Sequence, residues 1–400
     1  MNLLVIGNGF DLAHGLPTRY SDFLDFMVLC IDKYCPNWQN IGWQSEENHY
    51  KVEKYAINEI LTYLKSNHNL PVEDALNSCD IELLKKGLMI DTSESFIHNQ
   101  FLRYFICIYA YKKQLSDKFN WIDIEDEIEN LLLNIFSIDN LKSSKEFSLS
   151  VDVPIIINDE YKFEPFYFIE LSDKIRKQKN LPEEKLKTEI FYILFHNLEQ
   201  FDYLLQFYLR LVQDNFLKNP KSIFNINTGS ENAKKIDKIL SFNYTNNSKI
   251  YINRKSNEKY YPVHFINGNL KAESKIILGI ENPNKENTEQ FCDNNINLFF
   301  KNVQRVLYDM FYKYTHWVDG RIKNLYIIGH SLAFSDKYIL LDVIEQSERV
   351  TIYYYDEVDR QDKITNLYKL LGDEKFSRYV NNAKSRPYIS LKNQDEIKLD

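Results

Sequence analysis

Four short blocks of this sequence combine residue types that can handle a phosphate and a sugar. In the first, Leu3-Leu4-Val5-Ile6 runs into Gly7-Asn8-Gly9-Phe10-Asp11, and Gly15-Leu16-Pro17-Thr18 follows. Glycines directly after a buried strand allow a tight turn that brings backbone N–H groups against a phosphate at a helix N-terminus. A glycine turn of purely structural purpose has the same signature. The second block, Ile239-Leu240-Ser241-Phe242-Asn243-Tyr244-Thr245-Asn246, ends in amides and hydroxyls, groups that both donate and accept hydrogen bonds. A hydrogen-bonded Asn/Thr turn is the plainer account of it. The third and fourth are Val263-His264-Phe265-Ile266-Asn267-Gly268-Asn269 and Tyr326-Ile327-Ile328-Gly329-His330-Ser331-Leu332, the latter followed by Asp336. His14 and His330 lie inside these blocks and are imidazoles able to titrate near neutral pH; each also suits a packing role.

Other chemistry is less well supported. Asp123, Glu125, Asp126, Glu127 and Glu129 form an acidic cluster, which suits the positive end of a helix dipole and alternatively a Mg²⁺ or ribose contact. The remaining histidines show no paired metal spacing, and no metal site is expected. The chain contains no Ser-His-Asp or Cys-His signature and no GxxxxGK[ST] loop. The first block departs from the dehydrogenase fingerprint, because position 12 is Leu rather than Gly and no acid-ended strand follows soon after.

The elements that must position these blocks are short apolar strands. Residues 2–6 read as a buried strand. Strands recur at Ile236–Phe242, Tyr261–Ile266, Lys275–Ile280, Leu325–Ile328 and Val350–Tyr355, with a helix from Val303 to Tyr314 between two of them. Residues 20–220 are mostly helical in pattern: Val52 to Leu64, Ile97 to Tyr111, Ile124 to Ile135 and Lys187 to Leu217 carry apolar faces. A β-branched, turn-punctuated stretch at 147–171 reads as a hairpin. Strands alternating with helices predict a parallel sheet. The fold expected is α/β: a Rossmann-like nucleotide-binding domain made of residues 1–24 and 235–400, interrupted by a mostly helical insertion at 25–234.

Composition narrows the function class. The 400 residues carry 49 basic and 57 acidic side chains, a net charge of −8, which speaks against a non-specific nucleic-acid binder. Five scattered cysteines without a CxxC pair fit a reducing compartment. No apolar run approaches the ~18 residues of a membrane span, so a cytoplasmic protein without a membrane partner is expected. The aromatics (28 Tyr and 26 Phe) read as a thick helical core in preference to base-stacking platforms.

GNGFDLAHGLPTRYSDFL, LSFNYTN, the NGNL element, YIIGHSL and Trp121-Ile122-Asp123-Ile124-Glu125 resemble the bacterial AbiH family of phage abortive-infection proteins. The same blocks resemble sirtuin-like NAD-binding domains more distantly. That resemblance implies a first loop of Gly7, Asn8, Gly9, Phe10, Asp11, Gly15 and Pro17 holding the pyrophosphate and ribose of NAD. It implies Asn243 at the nicotinamide ribose, and Gly268, Gly329, His330 and Ser331 around the rest of the nucleotide. Where the sirtuin-like enzymes carry a catalytic His, this sequence has Asn267, and where they close the second block with Asp it has Thr245. The function expected is an anti-phage effector that binds NAD or a related nucleotide and cleaves its nicotinamide–ribose bond, with Asn243, Asn267 and His14 as the catalytic candidates. A phage-encoded trigger and a homo-oligomer are the partners expected. The alternatives are a non-catalytic nucleotide sensor acting through a partner and a metal-dependent nuclease.

Overall fold

A computed structural model describes residues 1–34, 87–88, 90–91, 96–97, 99–115, 123–136, 150–157, 160–167, 183–218, 236–246, 252–253, 259–260, 262–271, 275–281, 295–318 and 320–397. The expected helix at 52–64, and Trp121 and Ile122, lie outside these residues.

Contacts divide the chain into two compact units. One comprises Met1–Thr18, Leu209–Ile277 and Lys301–Asp400, the other Arg19–Tyr208 and Leu278–Phe300. The first is built on six parallel strands: β1 (Asn2–Ile6), β2 (Lys238–Ser241), β3 (Val263–Phe265), β4 (Ile322–Ile328), β5 (Ser347–Tyr354) and β6 (Tyr388–Asn393). Their order across the sheet is β3-β2-β1-β4-β5-β6, which is the Rossmann order, with its reversal point between β1 and β4. Leu3, Leu4, Val5 and Ile6 are all fully buried, because a parallel strand in the middle of such a sheet is covered on both faces.

Helices lie between these strands in the chain. α1 (Asn8–Ala13) begins one residue after Gly7. In chain order after it come α2 (Tyr20–Tyr34), α3 (Gln100–Leu115), α4 (Ile124–Phe136) and α5 (Glu183–Lys218). Near the carboxyl-terminal strands lie α6 (Lys301–Leu307), α7 (Met310–Trp317), α8 (Lys337–Glu345) and α9 (Glu357–Tyr379). α8 links β4 to β5 and α9 links β5 to β6, each in a crossover that parallel strands require. Ile339, Leu340, Val343 and Ile344 of α8, with Leu367, Leu370 and Leu371 of α9, bury one face of the sheet against Leu3, Val5, Leu325, Ile327, Val350 and Ile352.

The structure corrects two of the expected elements. The single helix expected from Val303 to Tyr314 is two, because Asp309 takes a left-handed conformation (φ 57°) between α6 and α7. Lys275–Ile280 is not a strand; only Ile280 forms a bridge, to Phe300. An apolar run signals burial whether or not a neighbouring strand accepts its hydrogen bonds.

The second unit contains α2, α3, α4 and the first part of α5. Its aromatics are core: Phe23 packs against Phe201 and Tyr208, with ring centroids 5.3 and 5.8 Å apart. Ser150–Ile157 and Glu160–Tyr167 pair antiparallel within the stretch that reads as a hairpin. Among the described residues no helix is long and apolar enough to cross a membrane.

Candidate functional site

All four blocks end at the carboxyl edge of the parallel sheet, after β1, β2, β3 and β4. The first and fourth lie against each other across the β1–β4 reversal point. The N–H of Gly7 donates to Ile328 O at 3.2 Å and that of Gly9 to Gly329 O at 2.7 Å. A Cβ on Gly7 would meet His330 Cα at 2.7 Å, and one on Gly9 would meet Gly329 Cα at 2.9 Å. Gly329, at φ 65°, would bring a Cβ to 2.0 Å from Phe10 N. What approaches the glycine pair so closely is therefore the backbone of the fourth block. Asn8 and Ser331, close to that contact in the chain, are exposed, and Thr18 Oγ1 donates to Asn8 Oδ1 at 2.5 Å.

The second block is tied to the first. Asn243, nearly fully buried, donates from Nδ2 to Gly7 O at 3.0 Å. Thr245 Oγ1 forms a short hydrogen bond to Asp11 Oδ2, so the hydroxyl at the place of the expected Asp still meets the first block. His14, also buried, hydrogen-bonds through Nδ1 to Phe10 O at 2.7 Å, and the Phe10 ring lies 4.4 Å away. A carbonyl partner requires the proton on Nδ1 and makes Nε2 the acceptor of the ring. Burial lowers the pKa of His14, against the opposing pull of the Phe10 carbonyl, so it is neutral at neutral pH.

The third and fourth blocks are joined by a buried charged chain that the motifs alone do not reveal. Asn267 Oδ1 accepts from Arg305 Nη2 at 2.7 Å, while its Nδ2 donates to Phe242 O at 3.3 Å. The same Nη2 donates to Asp336 Oδ1 at 2.9 Å, and Lys301 Nζ reaches that oxygen at 3.2 Å. Asp336 Oδ2 faces His330 Nε2 at 3.5 Å. Leu332 N–H donates to His330 Nδ1 at 2.9 Å, which places the ring proton on Nε2. Burial would raise the Asp336 carboxyl, but Lys301, the His330 hydrogen bond and Arg305 outweigh it and hold it well below the usual carboxylate range. The sequence signal for this chain was the spacing of Lys301 and Arg305, one helical turn apart on a face that is fully buried.

Other candidates fall elsewhere. Gly268 (φ 84°) turns tightly against the Lys275 carbonyl, and Gly15 (φ 82°) opens onto free space. Pro17 is buried. His264 packs beside the rings of Trp317 and Tyr314, at 5.4 and 6.1 Å. Burial and Lys313 push its pKa down to about 4, against the opposing pull of the Met310 carbonyl. In the acidic cluster, Asp123 Oδ1 accepts from the N–H groups of Glu125 and Asp126 at 3.0 and 3.3 Å and so caps α4.

A family model described as bacteriophage abortive infection AbiH matches residues 3–356. The chain belongs to the AbiH family. The matched span of this AbiH chain includes all four blocks and the residues Lys301, Arg305 and Asp336, and it stops just short of α9. Abortive infection against bacteriophage is the broad function that membership carries. No curated protein matches the chain.

Proposed function

We propose that this AbiH chain acts in phage defence by binding NAD or a related nucleotide at the carboxyl edge of its parallel sheet. The observation that carries this reading is the strand order. In open α/β sheets ligands bind outside the carboxyl ends of the strands at the reversal point, and here that point lies between Gly7–Gly9 and Gly329–Ser331. Exposed Asn8 and Ser331 are the polar side chains that would meet a phosphate or ribose there. Gly7, Gly9 and Gly329 serve by letting the two loops interlock, and Asn243 by holding the Gly7 carbonyl.

The reaction proposed is hydrolysis of the nicotinamide–ribose bond. Water adds at the anomeric carbon, the carbon–nitrogen bond breaks, and nicotinamide leaves. His14 is the imidazole best suited to take the proton of water, since it is neutral and its acceptor is Nε2. A phage component sensed through residues 19–208 is the trigger under this reading. A second reading, nucleotide sensing without cleavage, is favoured by a separate observation. Both ends of the Asn267 amide and both ring nitrogens of His330 are already engaged within the protein.

The test is incubation of the purified chain with NAD, followed by mass spectrometry for nicotinamide and ADP-ribose and by calorimetric titration. Release of nicotinamide supports cleavage, and binding without release supports sensing. Absence of both, with and without lysate from infected cells, overturns the nucleotide reading.

A further inference from the structure

The fourth block closes in a loop of unusual backbone conformation. Two of the four residues of its closing loop, Gly329–Leu332, lie in the left-handed region, Gly329 at φ 65° and Leu332 at φ 61°, and a bulky apolar side chain is rarely found there. Leu332 is fully buried, so its side chain is committed to the core while its backbone is strained. Three consecutive carbonyls of this loop take donors from other parts of the chain. Gly329 O accepts from Gly9, His330 O from Lys363 Nζ at 2.9 Å, and Ser331 O from Asn366 Nδ2 at 2.9 Å.

Two of these donors come from α9. Lys363 and Asn366 are three residues apart and share a helix face. The Lys363 side chain is 4% exposed, and its charge is met by Asp359, one turn earlier, at 2.9 Å. Packing alone does not call for an ammonium in that place, since a methionine would fill it without desolvating a charge. Lys363 contributes a donor to the His330 carbonyl. Both residues lie beyond residue 356, where the family match ends.

We infer that Lys363 and Asn366 are positioning residues that hold the Gly329–Leu332 loop in its strained form and so present Ser331 at the nucleotide site. The second half of this statement rests on the nucleotide reading above; the first half does not. The helix that follows β5 is then part of the binding machinery as well as cover for the sheet.

Hydrogen exchange on the full chain tests the brace, and calorimetric titration with ADP-ribose tests its consequence. Lys363→Met keeps the aliphatic stem and removes the donor. Lys363→Arg keeps the charge and a donor. Asn366→Asp keeps the shape and sets an acceptor against the Ser331 carbonyl. We expect amide exchange over residues 329–333 to rise at least tenfold in Lys363→Met and in Asn366→Asp, while β1 and β4 exchange as before. ADP-ribose affinity should fall at least tenfold in the same two variants, and Lys363→Arg should restore both readouts. Exchange over 329–333 that matches the parent chain in both variants would overturn the brace. If Lys363→Met does not fold, Asn366→Asp decides alone, because it disturbs no buried charge. A loosened loop with undiminished affinity overturns the link to binding. A parent chain that takes up neither ADP-ribose nor NAD, with and without lysate from infected cells, overturns the nucleotide reading and leaves the exchange result to judge the brace.

Discussion

Gly9 and Gly329 meet backbone to backbone, the N–H of one 2.7 Å from the carbonyl oxygen of the other. Side chains at these positions would therefore disturb the fold before they disturbed a ligand. Gly329→Ala is expected to lose roughly 3 kcal/mol of stability, combining left-handed strain with overpacking. Gly9→Ala is expected to lose about 2 kcal/mol through overpacking alone. Gly15→Ala, with open space around it, should lose only about 1 kcal/mol. Denaturant unfolding of the three variants gives the ranking, and a Gly329→Ala protein as stable as Gly15→Ala would refute the interlock.

Asn243 offers a test of donor against acceptor. Its Nδ2 donates to Gly7 O, so Asn243→Asp would set a carboxylate oxygen against a carbonyl in a buried place. That variant should lose about 3 kcal/mol, and Asn243→Ala nearer 1–2 kcal/mol, since an unsatisfied charge is worse than a lost hydrogen bond. Thermal unfolding at pH 7 distinguishes them. Equal losses would mean that a carboxylate facing the Gly7 carbonyl carries no penalty beyond the lost hydrogen bond.

The Arg305–Asp336 pair should behave as a unit. Removing one partner leaves a buried charge, and Asp336→Asn is expected to lose ~3–5 kcal/mol, whereas Arg305→Met with Asp336→Leu should lose much less than the sum of the two single changes. Asp336 has a lowered folded-state pKa, so its contribution is present above the ordinary carboxylate range and fades as pH falls below about 4. A double-mutant cycle with zero coupling would remove this pair from the account of the site.

Asn267→His tests the base position that the sirtuin-like resemblance led us to expect. Arg305 Nη2, 2.7 Å from the amide oxygen it replaces, would claim a ring nitrogen and oppose protonation. Nicotinamide release by this variant is expected to be no faster than by the parent chain. A gain of ~10²-fold or more, the usual worth of general-base help, would show that Arg305 yields the site.

His264 makes stability depend on pH. Its folded-state pKa of about 4 lies below the ordinary 6.5, so the unfolded chain takes up the proton first as pH falls. The neutral ring's full contribution holds above about pH 6.5 and is lost progressively down to about pH 4. Between pH 7 and 5 the parent should lose about 2 kcal/mol more than His264→Phe. His14 shifts in the same direction but is present in both proteins, so the difference isolates His264. Parallel pH profiles would assign the slope elsewhere.

The sheet was legible because its central strands are short, unbroken apolar runs whose burial on both faces leaves no polar alternation. The break at Asp309 was not, since Val303, Val306, Met310 and Tyr314 keep helical spacing across a residue whose left-handed turn leaves no pattern of its own. At the candidate site the glycines marked a close approach correctly, yet a sequence cannot say whether a ligand or another loop makes it. The Asn267–Arg305–Asp336–His330 chain joins three separate segments through side chains, and the Arg305 bonds to Asn267 and Asp336 span 38 and 31 residues. The one-turn spacing of Lys301 and Arg305 marks a pair of cations, but it names neither Asn267 nor Asp336 as their partners.

The place of β1 in the middle of its sheet has a consequence during synthesis. Its hydrogen-bonding neighbours begin at Lys238 and Ile322, so β1 waits while more than 300 further residues are made before both flanks are closed. At ~5–20 residues per second this is a delay of roughly 15–60 s. Interlock of Gly9 with Gly329 cannot precede it, and a chain cut short before residue 329 carries three of the four blocks without the loop that locks the first. Whatever the finished protein does, an interrupted translation product cannot do it through this interlocked site.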